Sequence, residues 1–107
     1  MLVDAVAEKK GSDILLLDIR DQSVFADFFL ICNGETEPQL RALSQSALSV
    51  AKESTGVPAR STEGDPSSGW VLLDFGDVVV HLFLPRQRAY YDLESLWHDG
   101  RVVIRMQ

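Results

Sequence analysis

The sequence has a single cysteine, no apolar run long enough to span a membrane, and too few cations to balance its anions. Cys32 alone cannot close an intrachain disulfide, so the 107-residue chain must be held together by packing. It lies in the apolar run Phe28-Phe29-Leu30-Ile31-Cys32, where a small thiol is expected to be buried, and a reducing compartment is its natural home. No stretch approaches the roughly twenty continuous apolar residues that cross a bilayer. Asp4, Glu8, Lys9 and Lys10 interrupt the start, where a signal peptide needs an apolar segment. These absences predict a soluble, cytoplasmic protein. Ten Lys and Arg against sixteen Asp and Glu give a formal charge of −6. Affinity for a phosphate backbone comes largely from counterions released by cations, so little direct nucleic-acid binding is expected. An acidic surface instead speeds encounter with basic proteins.

Catalytic constellations are missing as well. Cys32 has no nearby His to activate it, and the serine cluster Ser44, Ser46 and Ser49 falls on a solvated helix. Asn33-Gly34-Glu35 lacks the further glycines and the Lys of a phosphate-cradling loop, and it sets a carboxylate where a phosphate has to sit. Asp74, Asp77 and His81 are types that bind divalent ions, but two carboxylates and one distant imidazole fill too few positions, and Asp at a hairpin turn is ordinary turn chemistry. His98, beside Trp97, has no nucleophile to serve. No catalytic residue, cofactor or metal is expected, and the chain reads as a module that docks a protein partner.

Apolar residues make up 46% of the chain, enough for one hydrophobic core and one domain over residues 1–107. Residues 2–10 suit a short amphipathic helix with Leu2 and Val6 on one side, ended by Gly11-Ser12. Residues 14–19 and 27–33 read as strands, the first largely buried. Thr36, Pro38 and Gln39 mark a helix start, with the Thr hydroxyl as cap and Gln39 completing a capping box. The helix runs over 37–54, with Leu40, Leu43, Ala47, Val50 and Ala51 on one face and Gly56 as its cap. Residues 57–63 suit an edge strand weakened by Pro58, and 64–69 a flexible polar loop. Strands over 70–74 and 77–84 flank a tight turn at Phe75-Gly76. A helix over 88–98 and a tail over 101–107 complete the chain. The order predicts an α/β (α+β) fold, a mixed sheet of about five strands with helices mainly on one face.

Pairing Asp74 with Asp77 sets Leu73 against Val78, Leu72 against Val79, Val71 against Val80 and Trp70 against His81. One face then holds Val71, Leu73, Val78, Val80 and Leu82, suited to lie under the helices. The other holds Trp70, Leu72, Val79, His81 and Phe83, with Asp74 and Asp77 at its end. Only two substantial helices are available, so this second face is expected to be largely uncovered, and an uncovered face that stays apolar signals an interaction surface. From the pattern alone, the C-terminal helix, the tail or a second copy of the chain is an equally good cover for it.

The stretches Ala26-Asp27-Phe28-Phe29-Leu30-Ile31, Glu63-Gly64, Trp70 to Phe83, and Arg88-Ala-Tyr-Tyr-Asp-Leu-Glu-Ser-Leu-Trp97 with Asp99 resemble the ribosomal silencing factor family, also called RsfS, Iojap or YbeB-like. The resemblance covers about residues 5–100 and leaves the tail 101–107 outside the shared pattern. Asn33 stands where the family usually has Thr, and Pro38 where it usually has Arg. The resemblance implies a nucleotidyltransferase-like fold without the activity. It implies binding to the large ribosomal subunit through the universal large-subunit protein numbered fourteen, which blocks subunit joining and represses translation under nutrient limitation. Trp70, Leu72, Asp74, Asp77, His81, Phe83, Tyr90, Tyr91 and Trp97 are then the expected partner-binding residues. A nucleotide-binding enzyme of the same fold and a self-associating homodimer remain open as alternatives.

Overall fold

Helices begin where free backbone amides find a side-chain oxygen. In the computed structural model of the chain, which describes residues 2–96 and 101–107, the Gln39 N–H donates to Thr36 Oγ1 at 3.2 Å and caps helix Glu37–Thr55 (α2). Gln39 Oε1 accepts from the Glu35 N–H at 2.7 Å, one residue before the amide a capping box engages. Its Nε2 donates to the carbonyls of Lys9 and Lys10, at 3.3 and 2.8 Å, tying α2 to the end of helix Leu2–Glu8 (α1). Gly56, at φ 75°, closes α2 by donating to the Lys52 carbonyl. No helix among the described residues is long and apolar enough to cross a membrane.

Strands Ser12–Asp18 (β1), Phe28–Asn33 (β2), Ser61–Glu63 (β3), Trp70–Asp74 (β4), Val78–Phe83 (β5) and Arg101–Met106 (β6) form one sheet in the order β3-β4-β5-β2-β1-β6. Every neighbouring pair is antiparallel except β2 and β5, which run parallel from Phe28↔Val78 to Asn33↔Phe83. One face of the sheet carries Ile14, Leu30, Cys32, Val71, Leu73, Val80 and Leu82 beneath Val6 of α1 and Leu40, Leu43 and Ala47 of α2. This is the main core. Burial pushes the Cys32 thiol up to about 12, leaving it inert at neutral pH.

The fold is thus a mixed α+β sheet as expected, with several differences in detail. The chain adds a sixth strand, because the expected tail pairs with β1 along Ile14↔Met106 to Asp18↔Arg101. The hairpin register is Trp70↔Phe83, Val71↔Leu82, Leu72↔His81, Leu73↔Val80 and Asp74↔Val79. Its two-residue loop is Gly76-Asp77, closed by Phe75 N–H donating to the Val78 carbonyl at 2.9 Å, with Gly76 at φ 89°. Glycine at the first central position suits the turn that matches strand twist, and Phe75 there is disfavoured. Because the slip is an even number of residues, the two faces keep the membership expected of them.

The third difference is the second face. Leu15, Leu17, Ile31 and Phe83 are buried there, and Leu93 packs against them, so this face is covered rather than open. Fourth, the last helix is broken: Pro85–Tyr91 (α3) ends at Asp92, which takes a left-handed φ of 48°, and Leu93–Leu96 (α4) restarts at a new angle. Residues 97 and 98 of the expected helix lie outside the described residues. The strand expected over 57–63 shortens to β3, and the loop over 64–69 holds a 3-10 turn whose Ser67 N–H donates to Asp65 Oδ1 at 2.8 Å.

Gly11 shows how closely α1 lies on the sheet. Its backbone angle is ordinary, but a Cβ would press on the Cys32 sulfur and stand 2.9 Å from the Val6 carbonyl. Gly11→Ala is expected to lower unfolding free energy by about 1–3 kcal/mol, the usual range for overpacking. Urea denaturation followed by circular dichroism measures this, and an unchanged midpoint counts against a tight α1–β2 contact.

Candidate functional site

Trp70 opens β4 and Phe83 closes β5, so the register sets them side by side at one end of the hairpin. The indole stacks on the Phe83 ring, with centroids 5.1 Å apart and planes at 26°, and Tyr91 of α3 covers it at 4.5 Å. Trp70 Nε1–H donates to His81 Nδ1 at 3.2 Å, and Phe29 meets the imidazole edge-on at 4.8 Å. An acceptor at Nδ1 makes His81 the neutral tautomer with its proton on Nε2. That Nε2 is buried without a hydrogen-bond partner, and burial pulls the His81 pKa down to about 4. The indole's polar group is therefore satisfied inward, and the residue as a whole stays partly exposed.

The expected site residues separate into distinct groups. Trp70 and Leu72 are half-buried and, with Tyr91, Glu63, Gly64 and Ser68, line a shallow cleft of about 290 Å³. Tyr91 is 46% exposed, and Tyr90, edge-on to it at 5.1 Å, is 80% exposed. His81 and Phe83, at 4% and 0%, are not surface groups and lie behind the cleft, against Trp70, Leu72 and Tyr91. Asp74 and Asp77 sit at the turn, the far end of the hairpin from Trp70. The Asp74 carboxylate accepts from the Gly76 N–H at 2.8 Å, and the exposed Asp77 lends its carbonyl to the N–H groups of Asp27 and Phe28. Trp97 lies outside the described residues.

What holds Tyr91 over Trp70 is a clamp the sequence reading did not single out. The Arg88 side chain is 10% exposed, and its Nε donates to Glu94 Oε2 of α4 at 3.1 Å. Its Nη1 donates to Asn33 Oδ1 of β2 at 3.0 Å and to the Asp13 carbonyl of β1. One guanidinium thus ties α3 and α4 to the end of the sheet, a task suited to its fixed fork of donors. Arg88 opened the Arg88–Trp97 stretch, but a helical Arg reads as solvated until the partners from β1 and β2 are known.

The same end of the sheet argues against a nucleotide cradle. The Gly34 N–H donates to the Phe83 carbonyl at 2.8 Å, and Gly34 is buried against Leu40 and Leu43, so the loop amides face the fold. Asp74, Asp77 and His81 do not converge, and among the described residues no cluster of three or more His, Cys, Asp or Glu is placed to hold a metal ion.

The site is thus a partly open aromatic platform beside exposed tyrosines on a strongly acidic chain, a composition common at protein interfaces. A family model described as "Ribosomal silencing factor during starvation" matches residues 1–107, and this chain belongs to that family of ribosome-associated regulators, not enzymes. It is 44% identical over 103 residues to the ribosomal silencing factor RsfS of Halalkalibacterium halodurans, covering 96% of this chain and 87% of that one. A crystal structure from Chromobacterium violaceum superposes with a TM-score of 0.84 at 38% identity, covering 91% of this chain and 80% of the other. A more distant relative, 30% identical over 91% of this chain and 43% of its own length, is the mouse protein named "Mitochondrial assembly of ribosomal large subunit protein 1".

The buried imidazole makes stability depend on pH. The folded state holds His81 neutral down to about pH 4, whereas the unfolded chain takes up the proton near 6.5. The unfolded state therefore binds more protons between these values, and the contribution is complete above pH 6.5 and lost as pH falls toward 4. His81→Gln keeps an acceptor for Trp70 but cannot titrate, and its urea midpoint is expected to fall less between pH 7 and 4.5. A wild-type excess loss of up to about 3 kcal/mol is the scale for such a shift. Equal slopes for the two proteins count against a buried neutral His81.

Proposed function

We propose that this protein is a cytoplasmic translational repressor that docks on the large ribosomal subunit and sterically blocks joining of the small one. The contact we infer is the basic universal large-subunit protein numbered fourteen, met by Trp70, Leu72, Tyr90 and Tyr91. The observation that carries this reading is the aromatic platform: an indole anchored from behind by His81 and Phe83, flanked by two exposed tyrosines, on a chain of net charge −6. Trp and Tyr are the residues that most often dominate interface energy, and complementary charge quickens encounter with a basic partner. Family membership and the large-subunit name of the mouse relative support the same partner. Steric exclusion requires a rigid body in the right place and no chemistry. The enzyme alternative has no comparable support, since the Gly34 amide is engaged by the sheet. Self-association through the same platform would compete with subunit docking.

Sedimentation with isolated large subunits, followed by a subunit-joining assay, tests the reading. Tyr90 is 80% exposed, so Tyr90→Ala is expected to leave the urea midpoint within about 0.5 kcal/mol of wild type. Its loss of affinity is expected to reach about thirtyfold if Tyr90 is a central contact. Trp70→Ala should weaken binding at least as much and also lower stability, because the indole packs on Phe83. A wild-type chain that neither sediments with large subunits nor slows joining overturns the proposal.

A further inference from the structure

The connection between β1 and β2 exposes its apolar residues. Val24 is 94% exposed and Phe25 88%, whereas the next residue, Ala26, is buried. Single exposed apolar side chains are ordinary, but an adjacent branched and aromatic pair standing fully in water is not. Nor is the segment a loose loop. Gln22 and Ser23 N–H donate to the Ile19 carbonyl at 2.9 Å, and Ile19 N–H donates to the Asp27 carbonyl at 2.9 Å. Phe25 N–H donates to Ser23 Oγ at 3.0 Å, and Asp27 N–H to the Asp77 carbonyl at 2.8 Å. The backbone is held at its base and again near its tip, so Val24 and Phe25 project from a built turn as a finger.

Charge around the finger is mainly negative, with Arg20, 55% exposed beside Asp21, and Arg60, beside Gly76, as the cations near it. Asp21, Asp27 and Asp77 are all exposed. The nearest cation, Arg20, is bound to Asp18 at 2.6 Å and lies over the Phe28 ring, and Arg101 reaches the same Asp18 at 3.3 Å. The finger also stands away from the aromatic platform. Asp77 and Val78 lie at the start of β5, and Phe83, which supports Trp70, ends it. The two apolar features therefore occupy opposite ends of the same central strands.

We infer that Val24-Phe25 is a second docking element, which inserts into an apolar pocket with a Lys/Arg rim on a protein partner. The carboxylate rim selects this occupant. It repels an anionic lipid surface, and a second copy meeting it finger to finger would set three carboxylates against three. The choice of probe rests on the ribosome reading above, so the test separates the two.

The full chain, Val24→Ser/Phe25→Ser and Asp21→Lys are titrated against purified large ribosomal subunits by sedimentation, beside Tyr90→Ala. The double substitution is expected to leave circular dichroism and the urea midpoint unchanged and to weaken subunit binding at least tenfold. Asp21→Lys, which keeps the finger and reverses one rim charge, is expected to weaken it severalfold at low salt. If wild type binds and the double variant binds equally well, the finger assignment is overturned while the platform reading stands on Tyr90→Ala. If wild type does not bind at all, both are overturned. A fall in the urea midpoint shows that Phe25 belongs to the fold, and it too overturns the assignment. So does Phe25-dependent flotation with phosphatidylcholine vesicles, or a dimer by light scattering that the double variant dissolves.

Discussion

The parallel pairing of β2 with β5 is the constraint from which the rest of the architecture follows. These strands lie side by side from Phe28↔Val78 to Asn33↔Phe83, and most of their side chains are buried whichever way they point. Two parallel strands cannot be joined by a tight turn; the chain must leave the end of β2, cross over and return to the start of β5. Here the crossover contains α2, whose Leu40, Leu43 and Ala47 seal one face. A parallel pair with apolar residues on both sides needs a second cover, and the chain supplies it directly after β5 with α3 and α4. The aromatic platform arises where that second cover begins.

Seen this way, Trp70 has two duties that pull in opposite directions. Its stack on Phe83 and its hydrogen bond to His81 belong to the second core, whereas its partly exposed surface is the part proposed to meet a partner. A half-buried indole loses little side-chain freedom on binding because its orientation is already set, which is the usual advantage of preorganised contacts. Arg88 extends the same logic to the helix. It fixes α3 through atoms of β1 and β2, so the tyrosine that covers Trp70 is placed by the sheet and not by the helix alone.

Local signals in the sequence were read well where a short-range interaction decides the outcome. Thr36, Pro38 and Gln39 gave the start of α2, Gly56 its end, and the period-two pattern of β4 and β5 sorted the side chains onto the correct faces. Long-range determinants were less legible. The pattern leaves the cover over the second face open between the C-terminal helix, the tail and a second copy, because Leu93 packs there only once Asp92 has broken the helix, and an Asp in left-handed conformation leaves no firm mark in a helical pattern. The strand Arg101–Met106 reads as a tail because its six residues gain order only from pairing with β1, from Asp18↔Arg101 to Ile14↔Met106, far away in sequence. His81 and Phe83 fall on the right face but are buried there, because alternation says which face a side chain occupies, not what lies above it.

That distinction bears on the proposed action by obstruction. An acidic surface with exposed aromatic side chains is sufficient to stick to a basic protein, but exclusion of a third body requires the contact residues to hold a fixed orientation relative to the bulk of the domain. Both proposed docking elements are tied to the central seam. The tyrosines are held through Arg88 and Trp70, and the turn bearing Phe25 through the Asp27 amide on the Asp77 carbonyl. Six residues of β5 separate these ends, about 20 Å at the rise of an extended strand. A rigid span of that length resists tilting about either end, which a single flexible patch of the same composition does not.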